Sequence, residues 1–91
     1  MDNKADMDRR YHEYIREEKK KHQELADHLQ KKGVRSAKLS EYQSGLPVVA
    51  LDTDEYHHSD AINIASEFAR NRRAYISSSS YPATTYLRIN Y

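Results

Sequence analysis

The sequence predicts an α+β fold: a long charged N-terminal helix, then a ββαβ(β) unit forming a small antiparallel or mixed sheet with helices packed on one face. Three observations support this prediction. Residues 4–32 have the composition of a helix and contain neither glycine nor proline. Apolar residues recur at strand spacing over residues 46–51 and 84–91. They recur at helix spacing over residues 61–69.

The overall composition is that of one small domain with almost balanced charge. The chain has 91 residues, with 15 basic and 14 acidic side chains and a formal net charge of +1. No whole-molecule field therefore draws it to nucleic acid or to a membrane. It contains no cysteine, no apolar run of the roughly 20 residues that span a bilayer, and no initial segment resembling a secretory signal. We expect a soluble cytoplasmic protein without a cofactor.

The predicted N-terminal helix has a firm end and a weak apolar stripe. Two lysines and a glycine at positions 31–33 are typical of a helix C-terminus. The stripe has two polar members at its centre and consists of Tyr11, Ile15, Glu18, His22, Leu25 and Leu29. A helix over residues 5–32 would be about 42 Å long, more than a compact chain of this size can cover. We therefore treat residues 1–33 as a helical segment and residues 34–91 as a small α+β domain.

Two arrangements of this long helix remain open. In the first, it overhangs the domain and pairs with its twin in a homodimer or with a groove of another protein. In the second, one end packs on the domain and the other end frays. The weak stripe by itself favours neither arrangement.

One hairpin and one amphipathic helix are expected after the first helix. Residues 34–45 and 46–51 form the first hairpin, and Pro47 belongs at a strand start or at a sheet edge because it donates no ladder hydrogen bond. A polar loop leads to the second helix, which Ser59 or Asp54 could cap.

The last strand, residues 84–91, alternates cleanly between two faces. Its core-facing residues are expected to be Thr85, Leu87, Ile89 and Tyr91. Residues 75–79 could pair with it as a further strand, and the sequence leaves this open.

The sharpest chemical motif follows the apolar strand of the first hairpin. The run from Val48 to Asp54, a strand ending in Asp-x-Asp, resembles the first motif of the haloacid-dehalogenase-type phosphatases. The resemblance implies that Asp52 is a nucleophile, that Asp54 is an acid/base and that magnesium holds the phosphate. It covers only seven residues, and the chain lacks that family's later lysine and acidic motifs. We therefore expect a loop here and a protein that is not an enzyme.

The same loop is rich in potential metal ligands. They are Asp52, Asp54, Glu55, His57, His58 and Asp60. Carboxylates and imidazoles could together bind zinc or nickel. Adjacent histidines diverge in either a strand or a helix, and no second ligand pair stands at a defined spacing. We expect a solvated helix-entry loop rather than a metal site.

Tyrosine and arginine are concentrated near the C-terminus. Eight tyrosines stand against one phenylalanine, and half of them fall in the last seventeen residues, beside several arginines. Both residue types are enriched at the energetic centres of protein interfaces, and both bind single-stranded nucleic acid. We expect Tyr91 to lie in the core. Tyr86 and Arg88 should project together from the open face of the sheet.

These observations predict a small non-enzymatic protein that docks on another protein as an inhibitor, adaptor or regulator, of the kind that phages and mobile elements encode. The alternative is a module that binds single-stranded nucleic acid through its Arg/Tyr-rich half. The predicted partner-binding residues are Tyr86, Arg88, Arg70, Arg72, Arg73, Tyr11 and Tyr14.

Overall fold

A computed structural model describes residues 3–53, 58–81 and 83–91 of the chain. Its elements are α1 (Asn3–Lys31), β1 (Lys38–Glu41), β2 (Pro47–Asp52), α2 (His58–Arg70), β3 (Tyr75–Tyr81) and β4 (Thr84–Asn90). The predicted α+β fold is confirmed. The strand that the sequence left open exists as β3, and it is as long as β4.

The four strands form one antiparallel sheet in the order β1-β2-β4-β3. The most apolar strand, β2, is central and pairs with β4 from Val49 opposite Leu87 to Asp52 opposite Thr84. Pro47 begins β2, where the missing donor costs the least. Central strands must be apolar on the covered face, which explains why β2 and β4 carry the strongest strand patterns.

Both helices cover the same face of this sheet. The core cluster combines Leu25, Ala26 and Leu29 of α1 with Ala61, Ala65, Phe68 and Ala69 of α2, and with Val34, Ala37, Val49, Leu51, Leu87 and Ile89. The alanines of α2 keep that helix close to the strands. Phe68 lies at the rim of the core, where its ring centre is 4.8 Å from that of His28.

Helix α1 is continuous over 29 residues, about 43 Å at 1.5 Å per residue. Every described side chain from Met7 to Tyr14 is exposed, and burial begins at Ile15. The molecule measures 52 × 29 × 18 Å, so the helix gives it an elongated shape. No helix in the described part of the chain is both long enough and apolar enough to cross a membrane.

Each helix ends in a turn that needs a left-handed residue. After α1, the Val34 amide donates to the Leu29 carbonyl at 2.9 Å, and Gly33 has a φ of 103°. After α2, the Ala74 amide donates to the Ala69 carbonyl at 2.9 Å in the same pattern. The left-handed position there is Arg73, with a φ of 57°. An arginine is strained at a position that normally favours glycine.

Arg73→Gly should raise the free energy of unfolding by about 1 kcal/mol, because glycine takes the left-handed conformation without strain. Glu67→Gly, at an exposed position inside α2, is the matched control and should lower it by about 0.5–1 kcal/mol. Urea unfolding of both variants measures the difference. Equal destabilisation by the two glycines would contradict the strained conformation of Arg73.

Candidate docking surface on the open sheet face

The face of the sheet opposite the helices carries a cluster of three tyrosines. Tyr86 projects from the centre of β4, Tyr81 ends β3, and Tyr42 follows β1. We call these three residues the tyrosine face. Strand alternation places them on one side, since Tyr86 lies opposite Ala50 and Ser79, and Tyr81 opposite Thr84.

The Tyr86 ring contacts each of the other two rings, tilted by 58° against Tyr42 and edge to face at 75° against Tyr81. The ring centres of Tyr42 and Tyr86 are 5.8 Å apart, and those of Tyr81 and Tyr86 are 5.7 Å apart. Edge-to-face packing, as in the Tyr81–Tyr86 pair, is a favoured arrangement of aromatic rings. The Tyr42 hydroxyl lies 3.3 Å from the Ser79 hydroxyl. Tyr86 is therefore held between two neighbours, while Tyr81 remains 61% exposed and available to a partner.

Two open depressions flank Tyr86. One has a volume of about 630 Å³ and extends over Ala50 toward Lys38 and Thr84. The other has a volume of about 610 Å³ and extends between Tyr42 and Tyr81. Tyr86 lines both depressions. Each of them can receive a side chain of a partner beside the tyrosine cluster.

Arg88 does not project beside Tyr86 as expected. Its side chain is only 13% exposed, and its guanidinium lies 3.5 Å from a carboxylate oxygen of Glu18 on α1. It also donates to the Pro47 carbonyl at 2.8 Å and to the Tyr14 hydroxyl at 3.1 Å. The long arginine side chain allows this, although Arg88 stands on the same face of β4 as Tyr86. The guanidinium therefore joins α1 to the start of β2.

His22 makes a second polar contact between α1 and β4. Its Nδ1–H donates to the Glu18 carbonyl at 2.7 Å, and its Nε2 accepts from the Ile89 amide at 3.1 Å. A carbonyl only accepts and an amide only donates, so these partners define a neutral Nδ1–H imidazole. Burial, the largest cause, lowers the pKa of His22 below its ordinary value of 6.5.

The two polar residues within the apolar stripe of α1 have partners on the sheet. These residues, Glu18 and His22, are buried because α1 crosses β4 beyond the last β2 pair, Val49 opposite Leu87. There they supply partners to Arg88 and to the Ile89 amide. We call Glu18, His22, Arg88 and Ile89 the α1–β4 clamp.

The other predicted binding residues lie apart from the tyrosine face. The Arg72 guanidinium stacks 3.6 Å from the Phe68 ring centre and donates to the Phe68 carbonyl at 3.2 Å. Arg70 and Arg73 are exposed where α2 ends. Tyr11 and Tyr14 are 52% and 47% exposed on the projecting part of α1. The structure thus brings Arg88 together with Tyr14, and it separates both from Tyr86.

Three further expectations can be compared with the structure. Tyr91 is not in the core: β4 ends at Asn90, and Tyr91 is 56% exposed with the Lys21 ammonium 4.3 Å from its ring centre. Ser59 is the second residue of α2 rather than its cap. Asp54, the alternative cap and the second aspartate of the phosphatase-like motif, lies outside the described residues.

The acidic loop is described only in part. Asp52 is exposed, and its amide donates to the Ser36 hydroxyl at 2.8 Å. Glu55 and His57 lie outside the described residues, and His58 begins α2. Among the described residues, no three His, Asp or Glu side chains come together as metal ligands.

Tyr42 is the member of the candidate surface that sequence reasoning missed. It stands directly after β1, out of step with the alternation that marked the strand, so nothing connected it to Tyr86. The signal was its position before the turn, because the Tyr42 amide donates to the Leu46 carbonyl at 3.0 Å and extends the hairpin by one pair.

Comparison of the chain with protein-family models, with curated proteins and with solved structures finds no match.

Arg88→Ala should lower the free energy of unfolding by roughly 1.5–3 kcal/mol, because it leaves the Glu18 carboxylate buried without its cation. Glu18→Gln in the same background should cost much less than in the wild type. A double-mutant cycle by urea unfolding measures this coupling. Strictly additive effects of the two substitutions would contradict the contact.

The free energy of unfolding should fall as the pH drops through 6.5. The unfolded chain protonates His22 near its ordinary pKa, whereas the folded chain resists protonation until the lowered pKa is reached. One such histidine contributes a slope of at most about 1.4 kcal/mol per pH unit.

Burial also lowers the pKa of His28, so the measurement should use His28→Gln to isolate His22. Nitrogen NMR shifts of the His22 ring should report the neutral Nδ1–H form at pH 6.5. A ring that is half protonated there in the folded chain would contradict the clamp geometry.

Proposed function

We propose that this chain is a small cytoplasmic protein that acts by docking on another protein through its tyrosine face, as an inhibitor, adaptor or regulator, and that it does not turn over a substrate. The observation that carries the proposal is the cluster of Tyr42, Tyr81 and Tyr86 on the open side of the sheet, with a depression on each side of Tyr86.

The chemistry of this face suits a protein partner. Tyrosine supplies a large, rigid and amphipathic contact area at a low cost in side-chain entropy, and serines around it supply adaptable hydrogen bonds. Ser40, Ser77 and Ser79 stand on the same side of their strands as Tyr86. Central aromatic residues with neighbouring depressions are typical of the few positions that carry most binding energy.

The charges favour a protein over single-stranded nucleic acid. Nucleic-acid affinity depends on cations that neutralise phosphates beside the stacking rings. Arg88 is bound to Glu18, and Arg72 is stacked on Phe68 on the helical side. The open face carries Lys38 and Asp52, which have opposite charges and so give this face no net positive charge between them.

Affinity capture with matched tyrosine variants tests the proposal. The wild-type chain, Tyr86→Ala, Tyr81→Ala and Tyr91→Ala should be used as baits in nuclease-treated lysate, with circular dichroism as the check on folding. A partner protein should be retained by the wild type and by Tyr91→Ala, an exposed tyrosine outside the face. Once that partner is purified, Tyr86→Ala should weaken its binding by about 2 kcal/mol, or roughly 30-fold.

Two results would count against this function. If Tyr81→Ala and Tyr86→Ala both retained the same partner, the tyrosine face would not be the binding surface. Tight binding of a single-stranded oligonucleotide at physiological salt, weakened by Tyr86→Ala, would favour the nucleic-acid alternative. A Tyr11→Ala bait measures separately whether the projecting part of α1 contributes to binding.

A further inference from the structure

The two edges of the sheet differ in how well they are protected. β1 has four residues, and two of them, Lys38 and Glu41, are charged. Short length and charge are the usual means of preventing edge-to-edge association. β3 has seven residues, with no charge and no proline, and it pairs with β4 in seven successive positions without a bulge. In the described part of the chain, no strand pairs with its other edge.

The hydrogen bond between His22 and the Ile89 amide shows which backbone groups of β3 face away from β4. The Ile89 amide donates to His22, so it does not donate to Ile76, the residue opposite it on β3. Hydrogen-bonded and non-hydrogen-bonded pairs alternate along an antiparallel ladder. Ile76 and Ser78 therefore direct their amide and carbonyl groups away from β4, toward the open edge.

From this geometry we infer that β3 pairs with β3 of a second copy of the chain, antiparallel and about a two-fold axis at Ser78. Two four-stranded sheets then become one continuous sheet. The inference rests on the strand edge and goes beyond the proposed function, because it stands whether or not the tyrosine face has a partner.

The sequence of β3 is self-complementary in this register. Ser78 lies opposite Ser78 of the second copy, with two hydrogen bonds between their backbones, and Ile76 lies opposite Ser80 of the second copy. Tyr75 then lies opposite Tyr81 of the second copy. Both tyrosines are on the open face, and they are 66% and 61% exposed in the single chain. Aromatic cross-strand pairs stabilise antiparallel sheets, and no like charges face each other.

A second copy fits this edge better than an unrelated peptide because the strand ends match. The uncharged serine centre and a tyrosine at each end make one edge complementary to itself. The pairing also brings Tyr75 of one copy to Tyr81 of the other. The two tyrosine faces thereby become one aromatic surface across the joined sheet.

Cysteine cross-linking tests the register, because the chain has no cysteine of its own. In the inferred pairing, the two Cα atoms at position 78 are about 5.5 Å apart, within the range of a disulfide. Those at position 80 are roughly 14 Å apart, because the register displaces them by four residues. Ser78→Cys should oxidise readily to a covalent dimer, and Ser80→Cys, on the same strand and face, should not.

Sedimentation velocity over micromolar to millimolar chain concentrations tests the association itself. The wild type should form dimers at the upper end of this range. Ser78→Lys places two like charges on the two-fold axis and should shift the chain to monomer while its circular dichroism stays unchanged. Ser40→Lys, on the protected β1 side, is the matched control and should leave the dimer intact.

Three results would overturn the inference. They are a wild-type chain that stays monomeric throughout the range, equal cross-linking of Ser78→Cys and Ser80→Cys, and a dimer that Ser78→Lys leaves unaffected. The last result would assign association to a surface other than the β3 edge. Since none of these measurements needs a partner protein, failure here is distinguishable from failure of the proposed docking function.

Discussion

The contact between Glu18 of α1 and Arg88 of β4 is the interaction on which the arrangement of this molecule depends. It joins the first helix to the last strand, and His22 strengthens it by accepting from the Ile89 amide. Buried polar groups are costly unless they find partners, so the pairing of Glu18 Oε1 with Arg88 and the two hydrogen bonds of His22 favour one position of the helix along the strand. The other carboxylate oxygen, Glu18 Oε2, is buried without a hydrogen-bond partner among the described residues. The apolar residues Leu25 and Leu29 then meet the sheet one and two turns later.

The clamp also shapes the open face of the sheet. Because Arg88 binds toward α1, the surface beside Tyr86 is left with aromatic rings and hydroxyl groups rather than with a guanidinium. A surface of this kind has little general attraction to phosphate and much capacity for specific contact with another protein. The same choice of rotamer thus stabilises the fold and sets the chemistry of the candidate interface.

Two costly features follow one another in the chain after α2. Arg73 takes a left-handed conformation that glycine would take more easily, and β3 then presents an uncharged edge. A chain optimised for stability and solubility alone would have a glycine at the turn and a lysine on the edge. Association through β3 would explain why this edge has no lysine. Nothing in the structure explains why the turn has Arg73 instead of glycine.

The sequence by itself determined most of the elements: the α+β class, the apolar strand of the first hairpin and the end of α1 just before Gly33 all follow from local spacing and composition, which leave β3 open. It could not place Arg88 or Tyr42, because a side chain's partner many residues away leaves no periodic signal. The apolar stripe of α1 also looks interrupted in the sequence, because Glu18 and His22 count as polar residues whatever they contact in the fold. Only the tertiary structure decided that these residues are buried, because only there does the pairing of β2 with β4 end at Val49 and Leu87 and leave the Ile89 amide to His22 of the helix.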